Sequence, residues 1–139
     1  MNYYDFAKKN LKSAETMNKY TDEYDVIVVD CQQYLEKSLK YLLELKCGEL
    51  TRVHKLTVIT SKLNIEELSK HEDIFRKIQD YYFDKRYPGD NYLETSKDEC
   101  AEVFKFTISL KPLIEELILK YTIEEISKDN SGIFDKLIK

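Results

Sequence analysis

A chain of 139 residues, 42% hydrophobic and 35% charged, is long enough to bury one core and too rich in apolar side chains to stay disordered. Its longest aliphatic run, Val26 to Val29, is far too short to cross a bilayer, and no charged leader followed by an apolar block opens the sequence. A cytoplasmic protein without membrane contact is therefore expected, and a net charge of −4 gives it no general attraction to nucleic acid.

With only 3 Gly and 2 Pro, long regular elements are favoured over many short strands and turns. Apolar residues recur with a helical period almost throughout. Tyr3, Phe6 or Ala7, Leu11, Ala14 and Met17 make the first stripe. Thr21 or Asp22 offers an N-cap for a second helix, with Glu23 and Asp25 placing negative charge in its first turn. Its stripe runs Ile27, Cys31, Tyr34/Leu35, Leu39, Leu42 and Leu45, while Gln32, Gln33, Glu36, Lys37, Lys40 and Glu44 mostly occupy other faces. Gly48 suits its C-terminal cap.

Residues 49–64 read as a connection with a short helical piece carrying Leu56, Ile59 and Leu63. Asn64 with Glu67 has the spacing of a capping box, and a third helix follows through Leu68, His71, Ile74/Phe75, Ile78 and Tyr81/Tyr82. Arg86-Tyr87-Pro88-Gly89-Asp90 must break it. Ser96 with Glu99 is the clearest capping box and opens a fourth helix through Ala101, Phe104, Ile108, Ile114, Leu117/Ile118 and Tyr121. Pro112 is expected to kink that helix or split it. Thr122 with Glu125 has the spacing to cap a further turn or two, and residues 131–139 read as a frayed end or a short terminal helix. These elements predict one all-α domain over residues 1–139, an up-and-down antiparallel bundle of four long helices with short extra helices.

Few residues point to chemistry. No Gly-rich phosphate loop, HExxH, GxSxG or calcium loop is present. Cys31, Cys47 and Cys100 contain no CxxC pair and complete no metal spacing with His54 and His71, so neither a metal nor another cofactor is expected. Charge is distributed unevenly. Residues 51–90 hold 8 Lys/Arg against 7 Asp/Glu, the rest 14 against 19, and all three arginines and both histidines fall in that middle segment. Guanidinium groups suit phosphates and carboxylates, so a local anion site is one reading; surface pairing and capping is the other. Arg52 and His54, two apart in a loop, would face one pocket if the backbone is extended there. The 11 Tyr and 6 Phe, with Tyr81, Tyr82, Tyr87 and Tyr92 around the break, suit half-buried or interface positions.

Three segments in order carry a family resemblance. Cys31-Gln32-Gln33-Tyr34-Leu35-Glu36-Lys37-Ser38-Leu39-Lys40 resembles the second-helix signature of the HEPN (higher eukaryotes and prokaryotes nucleotide-binding) domain. Arg52-Val53-His54-Lys55-Leu56 is similar to its Arg-Thr-His-Asp-Leu loop, with Lys55 where Asp is usual. Arg86-Tyr87-Pro88 matches the tripeptide before its last long helix. The resemblance implies a helical bundle that forms homodimers, serving in toxin–antitoxin or defence systems, often beside a nucleotidyltransferase partner. Members that cleave RNA carry an arginine and, after four to six residues, a histidine on or near the last long helix. Here no histidine stands in that window after Arg52, Arg76 or Arg86, and none follows His71. The expectation is a non-catalytic protein that binds a nucleotide or RNA phosphate, or acts as a nucleotidyltransferase's partner subunit. Its expected ligand-binding residues are Arg52, His54, Arg86 and Tyr87, with Glu36 orienting. The alternative is an RNA-cleaving toxin built on His54 and an arginine.

Overall fold

The computed structural model describes residues 1–81 and 94–138, with side chains to residue 128. Every regular element among them is a helix: α1 (Tyr3–Tyr20), α2 (Tyr24–Cys47), α3 (Leu56–Leu63), α4 (Glu66–Ser69), α5 (Glu72–Gln79) and α6 (Lys97–Ile138). None is long and apolar enough to cross a membrane. The Arg86-Tyr87-Pro88 segment lies outside the described residues.

Local rules place most of the helix ends. Asn2 and Asp5 form a reciprocal capping box at 2.9 Å in both directions, which fixes the start of α1. Gly48 ends α2 at φ +67°, and its amide bonds Glu44 O at 2.8 Å. Ser96 and Glu99 close the expected box, and the Tyr81 hydroxyl holds the second Glu99 oxygen at 3.2 Å.

Other ends depart from expectation. Thr21 does not cap α2; its hydroxyl donates back to Met17 O at 2.7 Å and closes α1. Asn64 does not start a helix. It terminates α3 in the left-handed region (φ 52°), where the Lys46 ammonium caps the Leu63 carbonyl. The expected third helix is consequently broken: α4 is a single turn, and the chain resets at Lys70-His71 before α5. Its apolar stripe survives the break, with Leu68, Phe75 and Ile78 buried. Conversely, Pro112 does not split α6, which is one continuous helix from Lys97 to Ile138, so no separate terminal helix forms.

The core is organised around α2, which packs against α1, α3, α5 and α6. Contacts fix directions. Asn10 bonds Asp30 and Lys37, and Tyr4 stacks on Tyr41 at 6.3 Å, so α1 and α2 are antiparallel. The amide of Thr95, just before α6, bonds Asp25 at the start of α2, while Lys46 at its end lies over Tyr121; these two helices run the same way. Phe106 of α6 meets His71 and Phe75 edge-on at 5.3 and 5.5 Å, and Lys77 pairs with Glu102 at 3.1 Å.

Enclosure on several sides explains one correction. Gln32, Glu36 and Lys40 were expected mostly on faces of α2 other than its apolar stripe, and all three are nevertheless buried. A second concerns α6, whose buried positions are Cys100, Val103, Thr107, Leu110, Ile114, Leu117 and Tyr121. Ala101 is exposed, and Phe104 and Ile108 are half-buried. Thr107 can occupy the core because its hydroxyl bonds Val103 O at 2.8 Å, leaving a methyl for packing.

Candidate functional site

On α2, Gln32, Glu36 and Lys40 follow one another at four-residue spacing and share a face. Gln32 Nε2 donates to Glu36 Oε1 at 3.1 Å, and Lys40 Nζ lies 3.3 Å from Glu36 Oε2. The Glu36 and Lys40 side chains are each only 6% exposed. Two ionised groups so far from water are tolerable only as partners, since each loses several kcal/mol of hydration.

The third member arrives from the loop after α2. Gly48 turns the chain out of the helix, the Thr51 hydroxyl accepts from Val53 N at 3.1 Å, and the backbone is extended at Lys55 before α3 begins. Lys55 has no side-chain acceptor to cap α3. Gln79 of the neighbouring α5 does so, taking bonds from Thr57 N at 3.1 Å and Thr57 Oγ1 at 2.9 Å. With α3 fixed in this way, His54 turns onto α2, its Nδ1 3.2 Å from Glu36 Oε2 and 3.3 Å from Lys40 Nζ.

The triangle is chemically specific. Lysine only donates and an ionised carboxylate only accepts, so the Nδ1 proton decides the pairing. With a proton on Nδ1, His54 donates to Glu36; without one, Nδ1 accepts from Lys40. The His54 side chain is 61% exposed, so Nδ1 is anchored inward while most of the ring remains open to solvent. A histidine oriented by a buried carboxylate and open to solvent can bind a phosphate oxygen or exchange a proton with a ligand.

Of the sequence-predicted residues, Glu36 and His54 are therefore brought together. Arg52 is exposed and forms no ion pair with a described residue. Arg86 and Tyr87 lie outside the described residues. Lys40 and Gln32 were missed as members of the cluster, although Gln-x3-Glu-x3-Lys is the spacing that places them on one face. The remaining Arg and His have structural roles: Arg76 pairs with Glu72 at 2.8 Å on the surface of α5, and His71 packs on Phe106, with burial lowering its pKa and Lys70 adding to the effect.

Cys31 is no nucleophile in this setting. Burial pushes its thiol up to about 12, and Cys100, also buried, is raised for the same reason. Among the described residues no group of His, Cys, Asp or Glu is arranged to hold a metal ion.

No curated protein and no solved structure matches the chain in the comparisons made. A family model does: the HEPN domain model aligns with residues 2–128, a span that includes α1 through α5, the His54 loop and the core-forming part of α6. The all-helical frame agrees with that match, which covers nearly the whole chain, and the chain belongs to the HEPN domain family.

Proposed function

We propose that this protein is a non-catalytic HEPN member that binds a nucleotide or RNA phosphate at the loop following α2. The family implies a nucleotide- or RNA-related role, and its members often dimerise and bind RNA. The observation that carries the reading is the seating of His54 on the buried Glu36–Lys40 pair, with exposed Arg52 and Lys55 in the same loop. Within the triangle Glu36 balances Lys40, so the loop cations supply the net attraction for an anion. Arg86 and Tyr87 complete the site in this reading. It also takes the helices as an up-and-down bundle over the whole chain, the protein as a homodimer, and a nucleotidyltransferase of a toxin–antitoxin or defence system as its partner.

The absent Arg-to-His spacing supports the non-catalytic assignment. The test is calorimetric titration of the purified chain with ATP and with a mixed RNA pool. Binding that weakens at least tenfold in Arg52→Ala and in His54→Ala is expected; undetectable binding of both ligands refutes the reading.

The Glu36–His54 contact also favours a second reading, because a carboxylate that orients an imidazole is how a general base is commonly positioned. In that reading the protein cleaves RNA without a metal: His54 takes the 2′-hydroxyl proton as that oxygen bonds phosphorus, the P–O5′ bond breaks with the 5′-oxygen taking a proton from the imidazolium or water, and a loop arginine stabilises the negative charge on the non-bridging phosphoryl oxygens. Incubation of the RNA pool with chelator separates the two: intact RNA supports binding, whereas cleavage by wild type and not by His54→Ala makes the protein a ribonuclease.

A further inference from the structure

The outer face of α1 presents two aromatic rings that the core does not use. Ala7, Leu11 and Ala14 form the buried side, and Tyr4 turns inward onto Tyr41, but Tyr3 and Phe6 keep 39% and 45% of their surface in water. Scattered exposed rings are ordinary. These two sit together, lining with Met1, Asn2 and Glu44 of α2 a single cleft of about 370 Å³. Small-molecule sites span roughly 300–1,000 Å³, so this cleft suits one ring system and is too small for a folded partner.

The cleft adjoins the His54 cluster through one ammonium group. Lys40 Nζ lies 6.0 Å from the Tyr3 ring centroid and 3.3 Å from His54 Nδ1. The lining adds one donor group and one acceptor group. Asn2 Oδ1 is already taken by the amide of Asp5, which leaves its amide donors, and the Glu44 carboxylate only accepts. A carboxylate pairs with ring amino groups, as acidic side chains do with cytosine N4, and it repels the carbonyl that uracil presents at the same place.

We propose that Tyr3 and Phe6, with Glu44, form a base-binding subsite for an amino-bearing nucleobase whose phosphates are held at Arg52 and His54. The proposal rests on the binding reading above and adds the subsite and the class of base. The ligand is a nucleoside phosphate, either free or at the end of an RNA.

The test is titration of the full chain with ATP, UTP, tripolyphosphate and 5′-phosphorylated hexa-adenylate. One stacked base is worth about 5- to 150-fold in affinity, so ATP is expected to bind tighter than tripolyphosphate by that factor. Tyr3→Ala removes the margin without changing tripolyphosphate binding, which also shows that the variant is folded; Tyr3→Phe retains it. Glu44→Gln narrows the preference for ATP over UTP. Tighter binding of hexa-adenylate than of ATP supports the subsite with an RNA end as ligand, and the reverse supports it with a free nucleotide. Equal affinity for ATP and tripolyphosphate, or an unchanged ATP affinity in Tyr3→Ala, overturns the subsite while the phosphate site stands. If none of these ligands binds the subsite falls, and if the mixed RNA pool is not bound either, the binding reading falls with it.

Discussion

Neutralising Glu36 while leaving Lys40 in place probes how α2 carries ionised groups inside the protein. The pair is separated by 3.3 Å, with both side chains 6% exposed, and Glu36 takes a further bond from Gln32. Glu36→Gln keeps the volume and the carbonyl that Gln32 uses, but its new amide sets donors against an ammonium. Leaving one buried charge without its partner costs about 3–5 kcal/mol. In a chain of this length that lowers Tm by roughly 10–20 °C. Removing both charges in Glu36→Gln/Lys40→Met recovers most of the loss, because a hydrophobic stem of similar volume needs no partner. Urea denaturation followed by circular dichroism on the four-member cycle measures the coupling. A single-variant loss under about 1 kcal/mol, or a double variant as unstable as the two singles summed, would refute the argument by showing that water already solvates the pair.

Thiol titration under native conditions should detect Cys47 alone, with Cys31 and Cys100 reacting only after denaturant is added, since the first is exposed and the others are buried. Gly48→Ala should cost about 1–2 kcal/mol in the same urea assay. Nothing lies within 4 Å of the added Cβ, so a larger loss would contradict a purely conformational origin. Stability should fall as pH rises above 9, because the folded protein holds the Cys31 proton until about 12 while the unfolded chain releases it near its ordinary value of 9.0. The unfolded state then binds fewer protons than the folded one, which makes the slope of stability against pH negative. Cys31→Ala should flatten that slope between pH 9 and 10; an unchanged slope would remove Cys31 as its cause.

Two members of the His54 cluster were legible in the sequence, but not its assembly. Glu36 and His54 stand out because they belong to the two motifs that mark the family, yet they are 18 positions apart and only folding brings Nδ1 to 3.2 Å from the carboxylate. Lys40 reads as an ordinary surface lysine on a helical wheel, since a wheel shows which residues share a face and not how many neighbours close over it.

The sequence by itself determined the all-helical class and the helix ends set by short-range bonds: Gly48 after α2, and Ser96 with Glu99 before α6. Those signals act over three or four residues, so no distant partner has to be known. The tertiary structure decided what depends on competition between local and long-range partners. Asn64 has the spacing of a helix start but becomes the end of α3, where Lys46 from α2 meets the free carbonyl of Leu63. Pro112 forfeits one bond, yet Val103, Leu110, Ile114, Leu117 and Tyr121 on both sides of it share one buried face, and continuing that packing outweighs the loss. Whether Gln32, Glu36 and Lys40 meet water or one another was likewise settled by α1, α3, α5 and α6 surrounding α2, a property of the assembled helices and not of any one of them.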